Sequence, residues 1–136
     1  MKIKSILTIL CTTAACLGGL PTANAAASVC RTPNIVCSGQ TTAGDTDWVA
    51  YGSNGIYVDI DTSECALNSV PAYITSMSGS TNLWSTSGAT SVYNPTDTGF
   101  RVYVRYTSGK SISPAAANEM NWAINWVALS SADCTQ

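Results

Sequence analysis

The chain has 136 residues, 46% of them hydrophobic and only 10% charged, with six Lys and Arg against eight Asp and Glu. That length suits one small domain, and a net charge of −2 lacks the cationic footprint that nucleic-acid binding needs to release counterions. There is no His, which excludes Ser-His-Asp and Cys-His catalysis and His-ligated zinc.

The first predicted element is an export signal over residues 1–25. Lys2 and Lys4 form a positive start, an apolar run follows over 6–20, and Ala23-Asn24-Ala25 is an A-x-A cleavage site. The run is short for a membrane span, so no span is expected and the location is secreted, periplasmic or otherwise extracellular. Thr13-Ala14-Ala15-Cys16 offers a rival lipoprotein reading, with Thr13 in place of the usual aliphatic residue. Cleavage after Ala25 leaves four cations against eight acids, a net charge of −4.

Cys30, Cys37, Cys65 and Cys134 remain after cleavage. In an exported domain four cysteines read as two disulfides with three possible pairings, and no C-x-x-C supports zinc. Cys37–Cys65 with Cys30–Cys134 is the pairing expected here. The first ties an N-terminal arm to the loop after a strand, and the second closes the chain ends. No glycosylation acceptor is present, because Pro95 follows Asn94 in the one candidate Asn-x-Thr.

Residues 26–47 are rich in Thr, Ser, Ala and Gly and read as an N-terminal arm; residues 48–136 read as the β-sandwich domain. Beyond the arm the hydrophobic period is 2. Ile56, Val58 and Ile60 alternate with Tyr57, Asp59 and Asp61, and Phe100, Val102 and Val104 alternate with Arg101, Tyr103 and Arg105. One row of each strand faces a core and the other faces away from it. Tyr73 to Met77 and Ala89 to Tyr93 are shorter strand candidates. Pro114 to Met120 suggests one helical turn, with Pro at its first position. Trp122 to Leu129 is a final strand. Turn residues punctuate these runs at 53–55, 78–80, 87–88 and 108–110. The expected fold is all-β, an antiparallel sandwich of about six strands stabilised by disulfides. Ser and Thr, 17 of each, cover its surface without charge.

Tyr57 to Cys65, Pro71-Ala72-Tyr73-Ile74, Thr98-Gly99-Phe100-Arg101-Val102 and the closing Trp122-Ala123-Ile124-Asn125-Trp126-Val127-Ala128 occur in this order. The order resembles the H-type lectins over residues 48–130. That resemblance implies a six-stranded antiparallel sandwich, often trimeric, that binds N-acetylgalactosamine through charged and aromatic side chains near a subunit edge. The lectins carry an aromatic and polar cluster in the loop before the last strand. Here that loop, 107–121, holds no Trp or His.

Candidate chemistry lies in few residues. Asp59 and Asp61 share one strand face, and Arg101 and Arg105 share another. If those strands are neighbours, the four surround Tyr57 and Tyr103, either as a ligand or subunit surface or as solvated cross-strand pairs. Aromatic rings accept sugar C–H faces, so Trp84, Tyr93 and Trp122, the last a rim candidate at the start of the final strand, join Arg101 and Arg105 as candidate ligand-binding residues. Trp48 and Trp126 are expected in the core. The two Asp as a hydrolase pair, and Asp45, Asp47, Asp59, Asp61 and Glu64 as calcium ligands, lack a cleft or a recognisable loop spacing. No catalytic residue, metal or cofactor is expected. The expected partner is a glycan or glycoprotein surface, and the alternative is an extracellular structural or protein-interaction module.

Overall fold

A computed structural model describes residues 29–30, 35–130 and 134–135, and the predicted export signal lies outside them. The strands are β1 (Val29–Cys30), β2 (Ile35–Gln40), β3 (Val49–Tyr51), β4 (Gly55–Asp61), β5 (Ala72–Ser78), β6 (Thr86–Ser87), β7 (Val92–Tyr93), β8 (Gly99–Tyr106), β9 (Ala123–Ser130) and β10 (Cys134–Thr135). Six of these are three residues or longer. The other four are two-residue pairings that no periodicity can signal.

Two antiparallel sheets pack together. One has the order β2-β9-β5, and the other β3-β4-β8-β6 with β7 also on β8. The chain changes sheet at each long connection: after β2, after β4, after β5 and after β8. The core follows from register. Ile56 lies opposite Val104, Val58 opposite Val102 and Ile60 opposite Phe100, so two alternating rows form one apolar face. Trp122, Ile124 and the half-buried Tyr73, Met77 and Trp126 meet it from the other side. Tyr73 stacks on Phe100 with ring centroids 4.2 Å apart. Each fully buried Val, Ile or Phe side chain contributes about 1.5–3 kcal/mol.

Residues 35–40, read as part of an arm, form an edge strand that pairs with six of the eight residues of β9, from Ile35–Ser130 to Gln40–Asn125. Their Ser, Gly and Gln leave no alternation of polarity to announce a strand. The Cys37–Cys65 disulfide is present, with Cα atoms 5.9 Å apart. It joins β2 to the 3-10 turn Ser63–Cys65 that follows β4, and so links the two sheets. The backbone register of β1 and β10 sets Cys30 opposite Cys134.

Two expectations need correction. The strand expected over Ala89 to Tyr93 is only Val92–Tyr93. Gly88 has φ +103°, and Ser91 N–H donates to the Gly88 carbonyl at 2.9 Å, which makes a turn of the first three residues. Trp122, expected at a ligand rim, is fully buried. Asn121 is left-handed (φ 53°), and Trp122 N–H turns back to the Ala117 carbonyl at 3.0 Å, so β9 begins one residue later. Its Nε1–H donates to the Thr81 carbonyl at 2.8 Å. The ring therefore closes one end of the core beside Ala117 of α1 (Pro114–Glu119), a helical turn capped by Ser113 Oγ accepting from Ala116 N–H.

Candidate functional site

The outer face of the five-stranded sheet carries the chemistry. Alternation in β4 and β8 points Tyr57, Asp59, Tyr103, Arg101 and Arg105 away from the core, and antiparallel pairing sorts them into rows. Asp59 lies opposite Arg101, with Tyr93 of β7 on its far side. Tyr57 lies opposite Tyr103. Gly55 lies opposite Arg105, flanked by Tyr51 of β3 and Ser87 of β6.

The first row is an ion pair. Arg101 Nε donates to Asp59 Oδ1 and its NH2 group donates to Oδ2, both at 2.6 Å, and its NH1 group donates to Tyr103 Oη at 3.3 Å. The guanidinium carbon also sits 3.9 Å from the Tyr57 ring centroid, at cation–π distance. Arg101 is thus held on three sides. The expected acid–base lattice exists in part: Asp59 and Arg101 pair, while Asp61 Oδ1 instead accepts from Ser63 N–H at 2.8 Å.

These contacts shift the carboxyls. The hydrogen bond from Arg101 is the main cause that holds the Asp59 pKa below its ordinary value; a small burial cost opposes it and the Arg101 charge adds to it. The Asp61 pKa is also lowered, chiefly by the Ser63 backbone N–H. Because the folded-state pKa of Asp59 lies below its unfolded value, the pair's stabilisation is complete above about pH 4 and is lost as pH falls through the folded value. In a carboxyl NMR titration Asp59 is expected to titrate below the ordinary Asp range. In Arg101→Gln its midpoint returns to that range; an unchanged midpoint would refute the assignment.

Beside this pair the tyrosines form an aromatic face. Tyr51 lies 4.6 Å and Tyr93 4.8 Å from the Tyr103 ring centroid, and Tyr57 lies 5.6 Å from it. Tyr51, Tyr93 and Tyr103 line a groove of about 710 Å³, whose remaining walls include Arg105, Asn54, Asn94, Ser87, Thr90 and Ser91. That volume falls within the usual range for small-molecule sites. Gly88 shapes the groove, because a Cβ there would collide with the Tyr103 carbonyl oxygen. Only glycine lets the β6–β7 connection lie this close to β8.

The candidate residues do not all converge. Tyr93, 46% exposed, and Arg105 line the groove, whereas Arg101, directly opposite Tyr93, is not part of its lining. Trp84 is 91% exposed but lies elsewhere. It precedes Thr86, which pairs with Tyr106, whereas Tyr93 pairs with Arg101, about 17 Å away along β8 by strand rise. Trp122 is in the core. Tyr51, Asn54 and Asn94 were not predicted. Tyr51 and Asn54 flank the β3–β4 turn and reach the groove only because that hairpin folds Tyr51 opposite Gly55.

A second hollow of about 330 Å³ includes Asp45, Asp47, Asp59 and Asp61 in its lining. Among the described residues no three carboxylates or thiols cluster as a metal site would require. No described helix is long and apolar enough to cross a membrane. No protein-family model, curated protein or solved structure matches the chain.

Proposed function

We propose that this chain is an exported, non-enzymatic carbohydrate- or glycoconjugate-binding protein, lectin-like in the sense of its H-type resemblance, and that it binds in the tyrosine groove. The supporting observation is the grouping of three tyrosine rings with two amides, three hydroxyls and one guanidinium around a single groove. Ring faces suit the C–H faces of sugars, and amides and hydroxyls suit sugar hydroxyls. The groove lining contains no carboxylate, so it lacks the paired acids that glycoside hydrolysis requires. Assembly into oligomers, a trimer by the lectin resemblance, would multiply weak single sites into useful avidity.

The test is a glycan array probed with oxidised mature protein, followed by titration of the strongest glycan. Tyr51→Ala removes an edge-strand ring that is 55% exposed, so the melting temperature is expected to hold while affinity falls roughly tenfold or more. No reproducible glycan binding would sink the proposal.

One observation favours the alternative of an extracellular structural or protein-interaction module. Val36 and Ile74 are 63% and 58% exposed on the outer face of the other sheet, beside Leu129 and Val127. A stable protein partner, with no sugar raising the melting temperature, would select that reading.

A further inference from the structure

We infer that the groove selects a glycan bearing one anionic group, a carboxylate or sulfate, held by Arg105. This rests on the tyrosine groove being the glycan site. The two arginines on this face differ in what already satisfies them. Arg101 gives its donors to Asp59 and Tyr103 and covers the Tyr57 ring. Its charge is balanced and its position is fixed. Arg105, four residues further along β8 at the Gly55 row, is exposed. Among the described residues it has no ion-pair partner, the Asp59–Arg101 pair being the only one there. It makes no side-chain hydrogen bond there either.

The surroundings give that free guanidinium a use. It is the only charged residue lining the groove, and Tyr51, Tyr103, Asn94 and Ser87 share the lining with it. A sugar laid on the tyrosines would bring its substituents within reach of a planar fork of N–H donors. That fork matches a carboxylate or sulfate two bonds at a time. A neutral sugar would meet the same rings but leave the fork to water.

Net charge limits the ligand further. Without residues 1–25 the protein carries −4, so an extended polyanion is repelled overall. A single anion seated at Arg105 feels that cation at contact distance. The remaining charges act from farther away and are screened within about 8 Å at physiological salt. One terminal acidic sugar fits this balance and a heparin-like chain does not.

The experiment uses matched glycan pairs on the array and in solution: galactose-terminated against sialylated, glucose-terminated against glucuronate-terminated, and unsulfated against 6-sulfated galactose. The acidic member of at least one pair is expected to bind roughly tenfold or more tightly, and Arg105→Gln is expected to erase that preference. Loss should appear without a change in melting temperature, because the side chain is exposed. The carboxylate and sulfate arms separate the two kinds of anion. Equal binding of neutral and acidic members, or a preference that survives Arg105→Gln, overturns this inference and leaves the glycan site standing. No reproducible binding of any glycan on the array overturns both.

Discussion

Trp122→Ala is expected to lower the unfolding free energy by about 3–5 kcal/mol, the range for truncating a large buried aromatic. Trp122 is the largest fully buried side chain among the described residues. Its loss would open a void between the two sheets and strand the Thr81 carbonyl that its indole N–H satisfies. Tyr106, edge-on to it at 5.7 Å, would lose its partner. Gly79 shows how closely the seat is built, since a Cβ at that position would come 2.6 Å from the indole ring. Domains of this size hold only about 5–15 kcal/mol in total, so the variant should melt far below the parent or fail to fold. Trp84→Ala is the control: at 91% exposure its denaturation midpoint should hold within about 0.5 kcal/mol. Equal denaturation curves for the Trp122 variant and the parent would contradict the burial described.

Removing the Cys37–Cys65 bridge is the second large effect. The bridge spans 28 residues of sequence, and loop-closure entropy places its stabilisation at roughly 3–4 kcal/mol. It has a structural share as well, because it fastens the edge strand β2 to the turn that leaves β4 on the other sheet. Cys37→Ser and Cys65→Ser should each cost about as much as the double variant, since either one breaks the same bond. Additive losses would show that the two cysteines act separately. Peptide mapping of a non-reduced digest should also recover Cys30 joined to Cys134. Directly opposed residues of antiparallel strands have Cα atoms about 4.5–5.5 Å apart, within disulfide reach.

Legibility in the sequence tracked the strength of local pattern. β4 and β8 were readable because seven or eight residues alternate without a break, and that alternation alone set Tyr57 with Asp59 on one face of β4 and Arg101 with Tyr103 on one face of β8. β2 was not readable. Its Cys-Ser-Gly-Gln stretch has no alternation, and it becomes a strand because β9 offers a full ladder of backbone partners. Trp122 misled for a related reason. Its place at a strand start suggested a rim, but a left-handed Asn121 and a hydrogen bond to Ala117 turned it inward. Trp84 and Tyr93 both stand beside polar turns, and nothing local distinguishes the one that joins the groove from the one that does not.

From composition and period alone came the antiparallel class, the exclusion of histidine chemistry, the core rows and the list of side chains facing away from them. Those are local or summed properties, set by side-chain volume, charge and the two-residue repeat of an extended chain. Register and sheet order came only with the tertiary structure. Pairing between segments 18 to 50 residues apart decided that Arg101 meets Asp59 while Arg105 meets only glycine and serine across the ladder. A strand's period says which way a side chain points, but its neighbour across the ladder depends on where a distant segment comes to rest.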